Sequence, residues 1–80
     1  MSDLKFQIVK SFGVIGQGQE GWRKEVNLVS WNERKPKLDI REWDGAHEKM
    51  RKGITLHLSE VKALKSIISE INEESLKIEA

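Results

Sequence analysis

Trp31, Arg34, Lys35, Lys37, Arg41 and Trp43 lie close together in this chain, with Lys24 and Asn27 just before them and Arg51 and Lys52 just after. Aromatic rings offer flat surfaces, and the lysines and arginines offer fixed positive charge. On the polar face of a β-sheet the two together stack the bases and neutralise the phosphates of a single-stranded nucleic acid. The same residues also admit a structural reading, with tryptophans at the edges of a small core and the charges solvated.

Two short strands around a basic turn would position this set. Val26-Asn27-Leu28-Val29-Ser30-Trp31 leads into Asn32-Glu33-Arg34-Lys35-Pro36, and Lys37-Leu38-Asp39-Ile40-Arg41-Glu42-Trp43 leads out. Side chains alternate faces along a strand. Val26, Leu28, Leu38 and Ile40 therefore share one face, expected to cover the core. Asn27, Val29, Trp31, Lys37, Asp39, Arg41 and Trp43 share the other. A five-residue turn pairing Trp31 with Lys37 would place Trp43 roughly 20 Å further along, so the tryptophans would be two separate stacking stations.

Strands alternate with breakers along the rest of the front of the chain. Leu4 to Ile15 reads as a first strand, and Gly13, Gly16, Gly18 and Gly21 read as a flexible connection. Trp22 to Trp31 and Lys37 to Trp43 read as the second and third strands, and Gly53 to Leu58 as a fourth. From Ser59 the period changes. Val61, Leu64, Ile68 and Ile71 recur at helical spacing, with Ile67 widening the stripe. Ser59 is one N-cap candidate, and a start near His57 is the other. Strands followed by one helix define an α+β layer. A single domain over 1–80 is expected, with the sheet over about 4–58, the helix over about 58–74 and a frayed tail over 75–80.

Other motifs weaken on inspection. Gly16-Gln17-Gly18-Gln19-Glu20-Gly21 matches G-x-G-x-x-G, but that fingerprint needs a helix next. Here the alternating Trp22-Arg23-Lys24-Glu25-Val26 follows. His47-Glu48 begins H-E-x-x-H, but its fifth position is Arg51. No serine sits in a local nucleophile motif and no acid or base is singled out, so neither an enzyme, a metal nor a cofactor is expected.

Eighty residues allow one small core, and the absence of cysteine excludes disulfide support. That leaves oligomerisation as the readiest further support. Net charge is +1, distributed as 11 Lys+Arg against 8 Asp+Glu over residues 1–58 and 3 against 5 over 59–80. A polyanion would meet the front half. No run has the length of a membrane span, and Met1-Ser2-Asp3-Leu4-Lys5 has no apolar leader segment. A cytoplasmic protein, with nucleoid association open to it, is expected.

Taken in order, these pieces resemble the single-stranded-DNA-binding domain of the transcriptional coactivator positive cofactor four (PC4-like) family. Within that family the chain looks similar to the small bacterial members of YdbC type. The resemblance is carried by Phe6-Gln7-Ile8-Val9-Lys10, Asp39-Ile40-Arg41-Glu42-Trp43, Arg51-Lys52-Gly53-Ile54-Thr55-Leu56, Leu64-Lys65 and Ile68-Ser69-Glu70-Ile71. It implies a four-stranded antiparallel β-sheet, one C-terminal α-helix, a symmetric homodimer and sequence-independent binding of single-stranded DNA. It places Arg41, Arg51 and Lys52 on the family's basic contacts, and Trp31 near the stacking aromatic before the hairpin turn. Trp43 falls near the aromatic after the third strand, one position early. RNA binding by the same fold and a dimeric protein-interaction module are the alternatives. Transcription, replication and repair are all open as settings, and no small-molecule substrate is expected.

Overall fold

The computed structural model describes residues 4–77. Four antiparallel strands form one sheet in the order β1-β2-β3-β4, with β1 at Phe6–Gln17, β2 at Arg23–Trp31, β3 at Lys37–Trp43 and β4 at Ile54–Leu56. The helix α1, Leu58–Glu70, follows directly and packs against β3 and β4. The expected α+β class and element order are those observed. A short 3-10 turn at Glu73–Leu76 ends the described chain. The expected fraying of 75–80 lies, for residues 78–80, outside the described residues.

The glycine segment differs from its expectation. Gly13 and Gly16 lie inside β1, which runs the full length of β2, pairing Phe6 with Trp31 at one end and Gln17 with Arg23 at the other. A closed turn at Gln19–Gly21 makes the connection, with Glu20 at φ 57° and Gly21 at φ 84°. Gly18 N–H donates to the Trp22 carbonyl at 2.6 Å, and Trp22 N–H donates to the Gln19 carbonyl at 3.0 Å. The glycines therefore serve a strand and a tight turn rather than a flexible linker.

The hairpin register also differs. Lys37 pairs with Val29, so the connection is longer than five residues. Asn32 and Glu33 both have positive φ, and Arg34 N–H donates to the Trp31 carbonyl at 3.0 Å. Positive φ at both central residues is the type I′ pattern, and it starts the longer connection after the ladder ends at Val29. Asn32 tolerates this conformation, and its side chain also accepts a hydrogen bond from the Lys5 backbone N–H at 3.1 Å.

The largest difference is which face lies inside. Among the described residues Val29, Trp43, Glu25, Asn27 and Asp39 are the buried ones, whereas Val26, Leu28, Leu38 and Ile40 are only half-buried. Sheet curvature accounts for the exchange. Trp43 pairs with Arg23, and Phe6 pairs with Trp31, eight residues further along β2. A flat ladder would hold those ends roughly 25 Å apart, yet the Phe6 and Trp43 rings meet at 5.1 Å. Three register shifts in β1 give the sheet the bends it needs to close on that face. The segment after β3 then folds over it, with His47 against Trp43 at 5.7 Å and Met50 bridged to Trp43.

His57 is the N-cap of helix α1, its backbone N–H donating to Glu60 Oε1 at 2.8 Å, so the earlier of the two expected starts is the one observed. Val61 and Leu64 are half-buried, while Ile67 and Ile68 remain 58% and 56% exposed.

Gly53 introduces β4. A Cβ there would collide with Arg41 Cβ and the Ile40 carbonyl oxygen on β3. Because both obstacles belong to the neighbouring strand, Gly53→Ala is expected to destabilise the fold by roughly 1–3 kcal/mol, as overpacking does. A denaturant midpoint unchanged from wild type would contradict this close approach.

Candidate nucleic-acid interface

Antiparallel pairing sorts the expected site residues into three places. Inside the curl, Asp39 is buried at the centre of β3. Arg41 Nε and Nη2 donate to its two carboxylate oxygens at 2.6 and 2.7 Å, and the Thr55 hydroxyl donates to Oδ2 at 3.1 Å. Arg41 Nη1 reaches the Arg51 carbonyl at 3.3 Å, and the guanidinium lies 4.6 Å over the Trp31 ring. Its planar fork is therefore committed on several sides. Arg41, a phosphate contact on the sequence reading, is here a strut between β3, the segment before β4 and Trp31.

Trp43 and Asn27 require the same correction, since both are 0% exposed. Trp43 is enclosed by Phe6 and His47 and shows no open ring face. It lies on the same face as Asn27, Asp39 and Arg41, and that face is the one the curl closes. Asn27 donates from Nδ2 to Glu25 Oε1 at 3.1 Å. Trp31, half-buried at the end of β2, packs 6.0 Å from Phe6 as well as under Arg41. The tryptophans thus flank one phenylalanine rather than standing as two stations 20 Å apart.

Glu25 completes this inner layer. His47 Nε2–H donates to its oxygens at 2.9 and 3.0 Å, and Arg23 Nη2 lies 3.1 Å from Oε2. Burial pushes the Glu25 carboxyl up, but the hydrogen bonds from His47 and Asn27 and the charges of His47 and Arg23 outweigh it. The group is held below its ordinary value of 4.5.

The second place is an open groove of about 500 Å³ along β3 and β4. Lys24, Arg41, Arg51 and Lys52 line it together with Ile40, Glu42, Gly53 and Ile54. Lys24 and Lys52 are exposed. Arg51 pairs with Glu42 at 2.8 Å and lies 4.0 Å over the Trp22 ring. Lys24, Arg51 and Lys52, from separate parts of the sequence, are thereby brought to one groove, with the committed Arg41 in its wall. Trp22 beside it was missed, because the preceding glycines read as a flexible connection; the signal was an aromatic next to Arg23-Lys24.

Arg34, Lys35 and Lys37 occupy the third place, at the other end of the β2–β3 hairpin. Lys35 and Lys37 border an apolar groove of about 440 Å³ whose walls include Phe12, Leu28, Leu38, Leu56 and Val61. Among the described residues no group of three or more His, Cys, Asp or Glu is placed to hold a metal ion.

The family model described as Transcriptional Coactivator p15 (PC4) matches residues 19–67, a stretch holding β2 through most of α1. An uncharacterized protein of Treponema pallidum (strain Nichols) is 33% identical over 70 residues, covering 88% of this chain and 82% of that protein. The chain belongs to the PC4 family.

Two outcomes follow from the inner layer. Trp43→Ala should cost about 3–5 kcal/mol of stability, as removal of a core aromatic does. Arg41→Ala should cost a similar amount by leaving Asp39 buried without its partner. Wild-type melting temperatures in both variants would return these side chains to the surface. Acid should act through Glu25. Its folded value lies below the unfolded one, so its contribution is present above pH 4.5 and is lost as pH falls through the folded value. Glu25→Gln should flatten that acid limb in denaturant midpoints measured across pH 4.5; an unchanged slope would exclude Glu25 as its source.

Proposed function

We propose that this protein binds single-stranded DNA without sequence preference, as a homodimer and without enzymatic activity. The observation that carries the reading is the open groove where Lys24, Arg51 and Lys52 converge, which lies wholly within the residues matched to the PC4 family. These three cations, with Arg34, Lys35 and Lys37 at the hairpin end, would contact phosphates. The partly exposed Trp31 would stack a base, and Trp43, Arg41 and Asn27 would support the surface from within.

The outer face favours a second copy as the dimer partner. Leu58 lines the groove of Phe12, Leu28 and Leu38, and Ile67, Ile68 and Ile71 further along the helix region are exposed as well. Fully burying each such side chain stabilises by about 1.5–3 kcal/mol. No helix among the described residues is long and apolar enough to cross a membrane. A cytoplasmic setting and a role in transcription, replication or repair belong to this proposal.

Titration with oligo(dT) at several salt concentrations tests it. Neutralising about four to six phosphates, at about −0.7 per phosphate on a single strand, gives a log–log slope of roughly −3 to −4. The opposing Glu42 beside Arg51 keeps affinity from being wholly electrostatic. A slope of zero, or a folded monomer in sedimentation at micromolar concentration, would contradict the binding mode or the dimer respectively.

A further inference from the structure

We propose that Trp22 and Arg51 form a nucleobase-stacking platform at the end of the basic groove, seating one base of the bound strand. This deepens the single-strand reading above and rests on it. Arg51 is held on two sides. Its guanidinium lies 4.0 Å over the indole of Trp22, and Nη1 donates to Glu42 Oε1 at 2.8 Å. Its side chain is nevertheless 54% exposed. A guanidinium with one face on an indole has a second flat face to offer, and arginine planes stack nucleobases as aromatic rings do.

The platform is built before any ligand arrives. Trp22 is fixed by the closed turn through its own N–H and carbonyl, and a Cβ on Gly18 would press to 3.1 Å of Trp22 Cβ, so the turn packs against the indole base. Little freedom is left to lose on binding. Lys24 follows Trp22 by two residues, on the same side of β2, and Lys52 follows Arg51; both line the groove. A base on the platform would therefore have its own phosphate linkages among these lysines. An exposed Arg–Glu pair alone contributes little to stability. The arrangement fixes the orientation of a cationic plane at a site where bases and phosphates meet.

The test compares labelled oligo(dT) with an equally long abasic strand, which has the phosphates and lacks the bases. Trp22→Ala should weaken oligo(dT) binding about five- to tenfold while binding of the abasic strand stays within about twofold. Arg51→Lys keeps the charge and removes the plane, so it should show the same base-dependent loss with the salt slope retained. Trp22→Phe should recover most of the affinity. Full oligo(dT) affinity in both Trp22→Ala and Arg51→Lys, or an equal loss on both strands, would overturn the platform. If circular dichroism shows Trp22→Ala unfolded, Arg51→Lys decides, since an exposed side chain is altered with its charge intact. Wild-type protein binding neither strand is a different result, and would overturn the single-strand reading together with the platform built on it.

Discussion

The contact between Phe6 and Trp43 governs this molecule. Two rings that a flat sheet would hold far apart touch, because β1 bends and carries its start across the inner face. Once the sheet is closed this way, charged groups inside it must find partners. Asp39 takes the fork of Arg41, and Glu25 takes His47, Arg23 and Asn27. The inner layer is consequently a network of paired charges around aromatic rings, and most of the aliphatic side chains of β2 and β3 face outward.

That exchange links packing to function. With aliphatic residues turned out beneath a single helix, the chain presents an apolar surface that a second copy could cover. Cations with no partner on the inner face gather at the rim, where β3 meets β4. Gly53 permits the close approach to β3 by lacking a Cβ, and Arg51 and Lys52 line the same groove as Lys24.

Local periodicity made the elements legible in the sequence. The alternation through Val26–Trp31 and Lys37–Trp43 specified two strands, and the spacing of Val61, Leu64 and Ile68 specified the helix. Curvature was not legible, because period-two alternation says which residues share a face and nothing about which face closes. Alternation therefore puts Arg41 and Trp43 on an expected solvent face that in fact closes inward, while Lys24, Arg51 and Lys52 lie along one groove. Trp22 was overlooked for a related reason. Glycines at 13, 16, 18 and 21 look alike as letters, yet two extend a strand and two make the turn that holds the indole.

The bends of β1 also bear on the chain's behaviour in a crowded solution. As an edge of the sheet, β1 carries exposed Val9, Phe12, Val14 and Ile15, a composition suited to recruiting foreign strands into fibrils. No more than three consecutive residues of β1 hold register before a shift interrupts the ladder. An incoming strand would find its hydrogen-bonding groups out of step every few residues. The irregularity that lets the sheet curl thus also guards its open edge against amyloid-like growth.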